Sequence, residues 1–316
     1  MSGERLVLGT RGSALALAQA EMTETLLRAA HPGLEIERKV ITTTGDRRTD
    51  VPLAEVASSE GHLDKGVFIK ELEVALAAGE IDVAVHSLKD VPSDLEGGFT
   101  LAAVLERAPN GDVLVTKASG GLDAMLEGAA VATSSVRRKR MLESRRGDLK
   151  VVDVRGNVPT RLRKLAEQEG MDGLILAEAG LVRLGLLEDG VVRSGEAELY
   201  AETLDHEWFL PAAGQGAVAL EIREGDETAA GWCAAINHEL TEIAVTAERE
   251  FLVLLGAGCD TPVGVRCEIK GETLKMWARV FSEEEDSATV AVVEGSTWEP
   301  RELARRLKEN LSQEEL

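Results

Sequence analysis

Short apolar runs alternate along this chain with stretches in which apolar residues return at helical spacing. The first pattern reads as buried strand, the second as amphipathic helix. Arg5–Gly9 is the first expected strand. Ser13 then caps a helix reaching about Ala30, with Leu15, Ala18, Met22 and Leu26 on one face and His31-Pro32-Gly33 stopping it. Ile36–Thr43 predicts a strand, Phe68–Ala78 a helix ended by Gly79, and Ile81–Val85 a buried strand, with Leu101–Val104 and Asp112–Thr116 as further strands. A second alternation follows: strand Ala130–Thr133, helix Val136–Arg145, strand Val151–Val154, helix Val158–Gln168 with Pro159 in its first turn, and strand Leu174–Ala177. Glu188–Leu210 reads as irregular and acidic, and Ala217–Ile222 as a strand able to rejoin the first sheet. From Glu239 the pattern changes to helix Thr241–Leu255, strands Val263–Ile269, Leu274–Phe281 and Ala288–Glu294, and helix Arg301–Asn310, an α+β arrangement.

At 316 residues the chain is longer than a single core supports. Two crossings, near Glu106–Asn110 and Pro211–Gly216, divide it into a first α/β domain (1–106 and 214–236), a second α/β domain (107–213) and a smaller C-terminal α+β domain (237–316). Aromatic residues are only 3% and the net charge is −21, which argues against a nucleic-acid binder, since that needs a basic face and stacking rings. The start lacks an apolar signal core and no apolar run reaches membrane-spanning length, so the expectation is a cytoplasmic protein without a membrane partner. Cys233, Cys259 and Cys267 form neither a disulfide framework nor a four-thiolate zinc site, and no metal is expected. Gly214-Gln215-Gly216 and Gly256-Ala257-Gly258 lack the rest of a dinucleotide fingerprint.

Chemistry concentrates at His86-Ser87-Leu88-Lys89-Asp90-Val91-Pro92, which brings a hydroxyl, an ammonium and a carboxylate to the carboxyl end of a strand, where open α/β sheets bind ligands. An ordinary polar strand exit would look the same. Arg11 beside the helix start at Ser13 suits a carboxylate, although a lone surface Arg more often pairs with a nearby acid. Two strand-to-helix turns, Thr133-Ser134-Ser135-Val136-Arg137-Arg138 and Arg155-Gly156-Asn157-Val158-Pro159-Thr160-Arg161, should leave the same sheet edge, so that their arginines converge on an acidic ligand. The alternative for Arg137–Arg140 is a solvated basic helix face. Gly45–Gly66 is long enough to serve as a lid. Cys259 sits in a glycine-bearing loop open to covalent chemistry, with no adjoining cation to activate it.

Val85–Pro92 resembles the signature of the porphobilinogen deaminase (hydroxymethylbilane synthase) family. The likeness extends, in order, through Gly9-Thr10-Arg11, Lys65–Glu73, Thr133–Arg138, Arg155–Val158, Gly214–Ala217 and Gly258-Cys259 to Gly264. The resemblance implies two periplasmic-binding-protein-like α/β domains with a third α+β domain, and a dipyrromethane cofactor in thioether linkage to Cys259. It implies stepwise deaminating condensation of four porphobilinogen units onto that primer, then hydrolytic release of hydroxymethylbilane, by a monomer. Asp90 would stabilise the cation left when porphobilinogen loses ammonia. Arg11, Lys89, Arg137, Arg138, Arg155, Arg161 and Arg183 match positions that bind acetate and propionate side chains, with Ser13, Lys65, Thr133, Ser134, Ser135 and Asn157 adding hydrogen bonds. This sequence departs from the family at Ala132 for a common glycine, at Glu55 for a common Lys, at a longer Ser58–Asp64, and in a long Glu188–Leu210. The rival reading is a two-domain module that clamps an acidic solute without turning it over; it leaves Asp90 and Cys259 unexplained.

Overall fold

The computed structural model describes residues 4–47, 68–95, 97–257, 261–282 and 287–314. They form two compact units, Met1–Arg107 with Ala217–Glu242, and Ala108–Gly216 with Ile243–Leu316. The architecture is α/β, with one large sheet in each unit and a smaller C-terminal α+β part.

In the first unit, β1 (Arg5–Arg11) lies parallel to both β2 (Glu35–Ile41) and β3 (Val83–Ser87). Strand β12 (Val218–Arg223) returns from the far side of the second unit's sequence and inserts antiparallel between β3 and β4 (Phe99–Val104), giving the order β2-β1-β3-β12-β4. The expected return of Ala217–Ile222 to the first sheet is therefore observed. Successive β3 residues face opposite ways, and both faces are covered, which explains its unbroken apolar run. Val83 and Val85 pack with Ala20 and Leu27 of α1 (Ala14–Ala30) and with Ala229 and Cys233 of α7 (Glu227–Ala234). Ala84 packs with Leu72 and Leu76 of α3 (Lys70–Ala77) on the other face. Gly9 permits that packing, since a side chain there would collide with Ile81. Burial pushes the Cys233 thiol up to about 12, leaving it a small core hydrophobe. The short α2 (Thr44–Arg47) and α7 were not evident from periodicity.

In the second unit, β6 (Ala130–Ala132) is parallel to β7 (Lys150–Val152) and β8 (Gly173–Ala177), while β5 (Asp112–Thr116) pairs antiparallel with β8. The turns into α4 (Val136–Arg145) and α5 (Val158–Glu167) thus leave one sheet edge, as expected. The expectation of an irregular Glu188–Leu210 is corrected: β9 (Leu187–Glu188), β10 (Val191–Ser194) and β11 (Ala197–Thr203) form an antiparallel ladder that extends the sheet from β5. Asp189 and Gly190 make the first of its turns, with φ of 47° and 76°.

The C-terminal strands β13 (Val263–Lys270), β14 (Thr273–Phe281) and β15 (Ala288–Ser296) form an antiparallel sheet. Phe251 of α8 (Glu239–Leu255) and Leu303 and Leu307 of α9 (Pro300–Glu314) pack with Val265, Leu274 and Met276 on one face. Trp277 and Phe281 join Met141, Leu142 and Leu210 in a separate cluster, and Gly264 leaves no room for a side chain against Met141 and Leu210. No described helix is long and apolar enough to cross a membrane.

Candidate functional site

Strand β3 ends at Ser87, and residues Leu88–Asp90 make a single 3-10 turn. Leu88 is buried and its N–H donates to Ala217 O at 3.0 Å, so the turn is pinned to the returning strand. Beneath it His86 Nε2 lies 2.9 Å from Glu221 Oε2, both side chains buried. Ser87 Oγ exchanges hydrogen bonds with the buried Gln19 amide of α1 at 2.8 and 3.2 Å. The apolar strand and these buried polar pairs fix the backbone from which the Asp90 carboxylate projects, one-third exposed. Lys89 points into an exposed position.

Arg11, the last residue of β1, brings Nη1 to 4.0 Å from Asp90 Oδ2. Its Nε and Nη2 donate to Asp46 Oδ2 and Oδ1 at 3.1 and 2.6 Å, and its Cζ lies 4.0 Å from the centre of the Phe68 ring. Burial acts to raise the Asp46 carboxyl, but Arg11 and Thr43 together hold it below the ordinary carboxylate value. Ser13 accepts from Ala16 N at 3.3 Å as the cap of α1.

In the second unit, Arg137 and Arg138 are both buried, and they share a buried carboxylate that sequence reasoning treated only as the start of a strand. Asp112 Oδ2 accepts from Arg137 Nη1 at 2.7 Å; Oδ1 accepts from Arg138 Nε and Nη2 at 3.0 and 2.7 Å and from Gln215 Nε2 at 3.1 Å. Arg137 Nη1 also donates to Leu210 O at 2.5 Å, and Arg138 Nη1 to Ile175 O at 3.0 Å. The two cations therefore carry one built-in counter-charge, and much of their donor capacity serves the protein itself. Asp112 and Gln215 were missed because an acid opening an apolar strand and an amide in a glycine turn have no distinctive spacing.

The hydroxyl-rich turn also acts locally. Ser134 Oγ donates to Val154 O at 2.7 Å, Thr133 Oγ1 accepts from Ser135 N at 3.2 Å, and Ser135 caps α4. Asn157 caps α5 through Thr160 N at 3.0 Å, and Arg161 Nε donates to Gly156 O at 2.7 Å. Arg155 is half-buried, and its carbonyl accepts from Lys164 Nζ at 3.0 Å. Arg183, at the end of α6 (Glu178–Arg183), donates Nη2 to Gly216 O at 2.7 Å. Its Nε is buried with no hydrogen-bond partner among the described residues, and burial lowers the guanidinium to about 10. Such a cation fits a ligand carboxylate. Ala132 is fully buried in the core of the second unit, among Val113, Val115 and Leu174.

The structure thus brings Arg11 beside Asp90 and joins Arg137 to Arg138. Lys65 and Cys259 lie outside the described residues, as do Glu55, Ser58–Asp64 and the expected lid from residue 48 onward.

Residues 6–231 match the family model described as porphobilinogen deaminase, dipyromethane cofactor binding domain, and residues 242–313 match that of the porphobilinogen deaminase C-terminal domain. The chain belongs to the porphobilinogen deaminase family. Among relatives bearing that name, one from Rubrobacter xylanophilus is 44% identical over 97% of this chain and 93% of its own. Others from Syntrophotalea carbinolica and Shouchella clausii are 45% and 46% identical, over 87% and 82% of this chain and 82% and 78% of theirs. Among solved structures, the methionine binding protein MetQ overlaps 80% of this chain and 96% of its own at 13% identity, with a TM-score of 0.43. Asp90, Arg11, Arg137, Arg138, Arg155, Arg161 and Arg183 all fall within the stretch that matches the cofactor-binding model of the porphobilinogen deaminase family, whereas Cys259 falls in the C-terminal match.

Proposed function

We propose that this chain catalyses the porphobilinogen deaminase reaction, joining porphobilinogen units with loss of ammonia and releasing hydroxymethylbilane by hydrolysis. When bound, the dipyrromethane supplies the free pyrrole position at which the growing chain is extended, and Cys259 is the residue proposed to hold it. Asp90 supplies negative charge to the pyrrole cation that forms as ammonia leaves; a carboxylate set in place before reaction needs no reorganisation at that moment. Arg11 binds a substrate carboxylate beside it. Arg155, Arg161 and Arg183, with Lys65 and Lys89, bind further acetate and propionate groups, since guanidinium keeps its charge and matches carboxylate geometry. Arg137 and Arg138 contribute the one positive charge that Asp112 leaves uncompensated. Ser13, Thr133, Ser134, Ser135 and Asn157 shape the turns from which these groups project and offer hydrogen bonds to the same carboxylates.

The observation that supports this reading best is the partly exposed Asp90 carboxylate with Arg11 Nη1 held 4.0 Å away. A site meant only to grip an acid would not place a carboxylate there. The half-buried guanidinium of Arg183, whose buried Nε meets no acid among the described residues, fits a ligand with several carboxylates. The same reading takes the chain as a cytoplasmic monomer; sedimentation of the purified protein tests the monomer, and fractionation of cells the location.

Intact mass and turnover decide the matter together. The purified chain is expected to weigh more than its sequence by two linked pyrrole units, to lose that increment in Cys259→Ser, and to consume porphobilinogen. An unmodified chain that binds porphobilinogen without consuming it would instead make this a solute-binding module.

A further inference from the structure

Asp46 has no part in the reading above, yet it takes two of the three nitrogens of Arg11. Nε and Nη2 reach its two oxygens at 3.1 and 2.6 Å, a bidentate grip along one edge of the guanidinium. The remaining nitrogen, Nη1, stands 4.0 Å from Asp90 Oδ2, beyond hydrogen-bond reach. Phe68 covers one face of the fork at 4.0 Å. Asp46 is itself held, accepting from Thr43 Oγ1 at 2.8 Å, and the next residue, Thr44, donates N–H and Oγ1 to Glu71 Oε1 of α3 at 2.7 Å each. Gly45 lets the Phe68 ring lie directly on this turn, since a side chain at Gly45 would occupy the ring's place. An exposed aspartate that merely happened to meet Arg11 would not need this support.

A guanidinium offers its donors in a fixed fork, and the Nε/Nη2 edge pairs readily with a carboxylate. Nη1 of the same guanidinium already lies 4.0 Å from Asp90 Oδ2, so without Asp46 nothing described holds the fork back from that carboxylate. A direct pair there would neutralise the charge that the condensation requires. We propose that Asp46 is a positioning residue: by occupying the Nε/Nη2 edge of Arg11 it keeps the guanidinium from closing on Asp90 and leaves Nη1 for a substrate carboxylate. This rests on the roles given above to Arg11 and Asp90.

The test compares wild type with Asp46→Asn and Asp46→Glu, each also made with Arg11→Gln, and adds the crystal structure of Asp46→Asn in the cofactor-free Cys259→Ser chain. Asp46→Asn is expected to lower kcat about tenfold while changing KM less than about threefold. Asp46→Glu, which keeps the charge, restores most of that loss. With Arg11→Gln present, adding Asp46→Asn costs no further kcat, because the two residues act as one unit. In the crystal, Arg11 moves into direct contact with Asp90. Equal kcat losses in both backgrounds, a loss confined to KM, or an unmoved Arg11 would overturn the proposal. A wild-type chain that does not consume porphobilinogen sinks the functional reading, while the position of Arg11 in the cofactor-free crystal still decides this one.

Discussion

Asp112 and Arg138 meet inside the second unit through a single oxygen: Oδ1 accepts from Nε at 3.0 Å and from Nη2 at 2.7 Å, with Asp112 fully buried. The other oxygen is committed to Arg137, so one carboxylate holds two guanidinium groups away from water. Burial presses the Arg137 cation down, and Asp112 is the group that opposes it. Removing one member of a buried ionic cluster is costly because the remaining charges keep their desolvation penalty without their partner. Asp112→Ala is therefore expected to lose about 3–5 kcal/mol in urea unfolding at neutral pH. Arg138→Met, which leaves Asp112 paired with Arg137, should cost less. Equal stability of Asp112→Ala and wild type would show that the cluster contributes nothing.

Asp90 presents a different balance. Its carboxylate is partly exposed, and Arg11 stands at ion-pair rather than hydrogen-bond distance. Asp90→Asn should lower kcat about 100- to 1,000-fold, the usual consequence of deleting a preset electrostatic group. Its melting temperature should stay within about 2 °C of wild type, since an interaction this weak adds little to the fold. Undiminished turnover in the amide variant would remove Asp90 from its proposed role.

Glu24 connects pH to stability. Its side chain is almost wholly buried; Arg38 Nε and Arg28 Nη2 both donate to it, the latter at 3.0 Å. Burial acts to raise this carboxyl, but the two guanidinium groups outweigh it, and the folded-state value lies below the ordinary 4.5. A depressed carboxylate contributes stability that is present above its unfolded value and lost as pH falls through the folded one. Glu24→Gln should thus cost on the order of 1 kcal/mol at pH 7, discounted for the exposure of Arg28. That difference should shrink as wild type is acidified below the ordinary carboxylate value. A constant difference across the titration would mean that shape, not charge, is what Glu24 supplies.

Much of the fold was legible wherever local and long-range signals agree. Ser13 caps α1 as expected, α4 and α5 begin at the expected Val136 and Val158, and Pro159 sits in the first turn of α5. Arg11 and Asp90 were each legible at the end of a strand, but that they meet follows from the parallel pairing of β1 with β3, which the sequence alone does not state. The ladder from β9 to β11 escaped because charged residues such as Arg193, Glu198 and Glu202 obscure its alternation, although Asp189-Gly190 is a hairpin signal. The counter-ions Asp46 and Asp112 escaped for another reason. A carboxylate's partner is chosen by tertiary contact across many residues of sequence, and nothing in the residues beside it announces that choice.

The position of β12 between β3 and β4 bears on how the protein is made. A ribosome has finished Met1–Arg107 and all of Ala108–Gly216 before it delivers the strand that completes the first sheet. At about 5–20 residues per second the nascent chain spends several seconds or more with the facing edges of β3 and β4 unfilled. Fragments ending before Val218 would keep that slot open indefinitely, exposing strand edges that invite pairing with other chains.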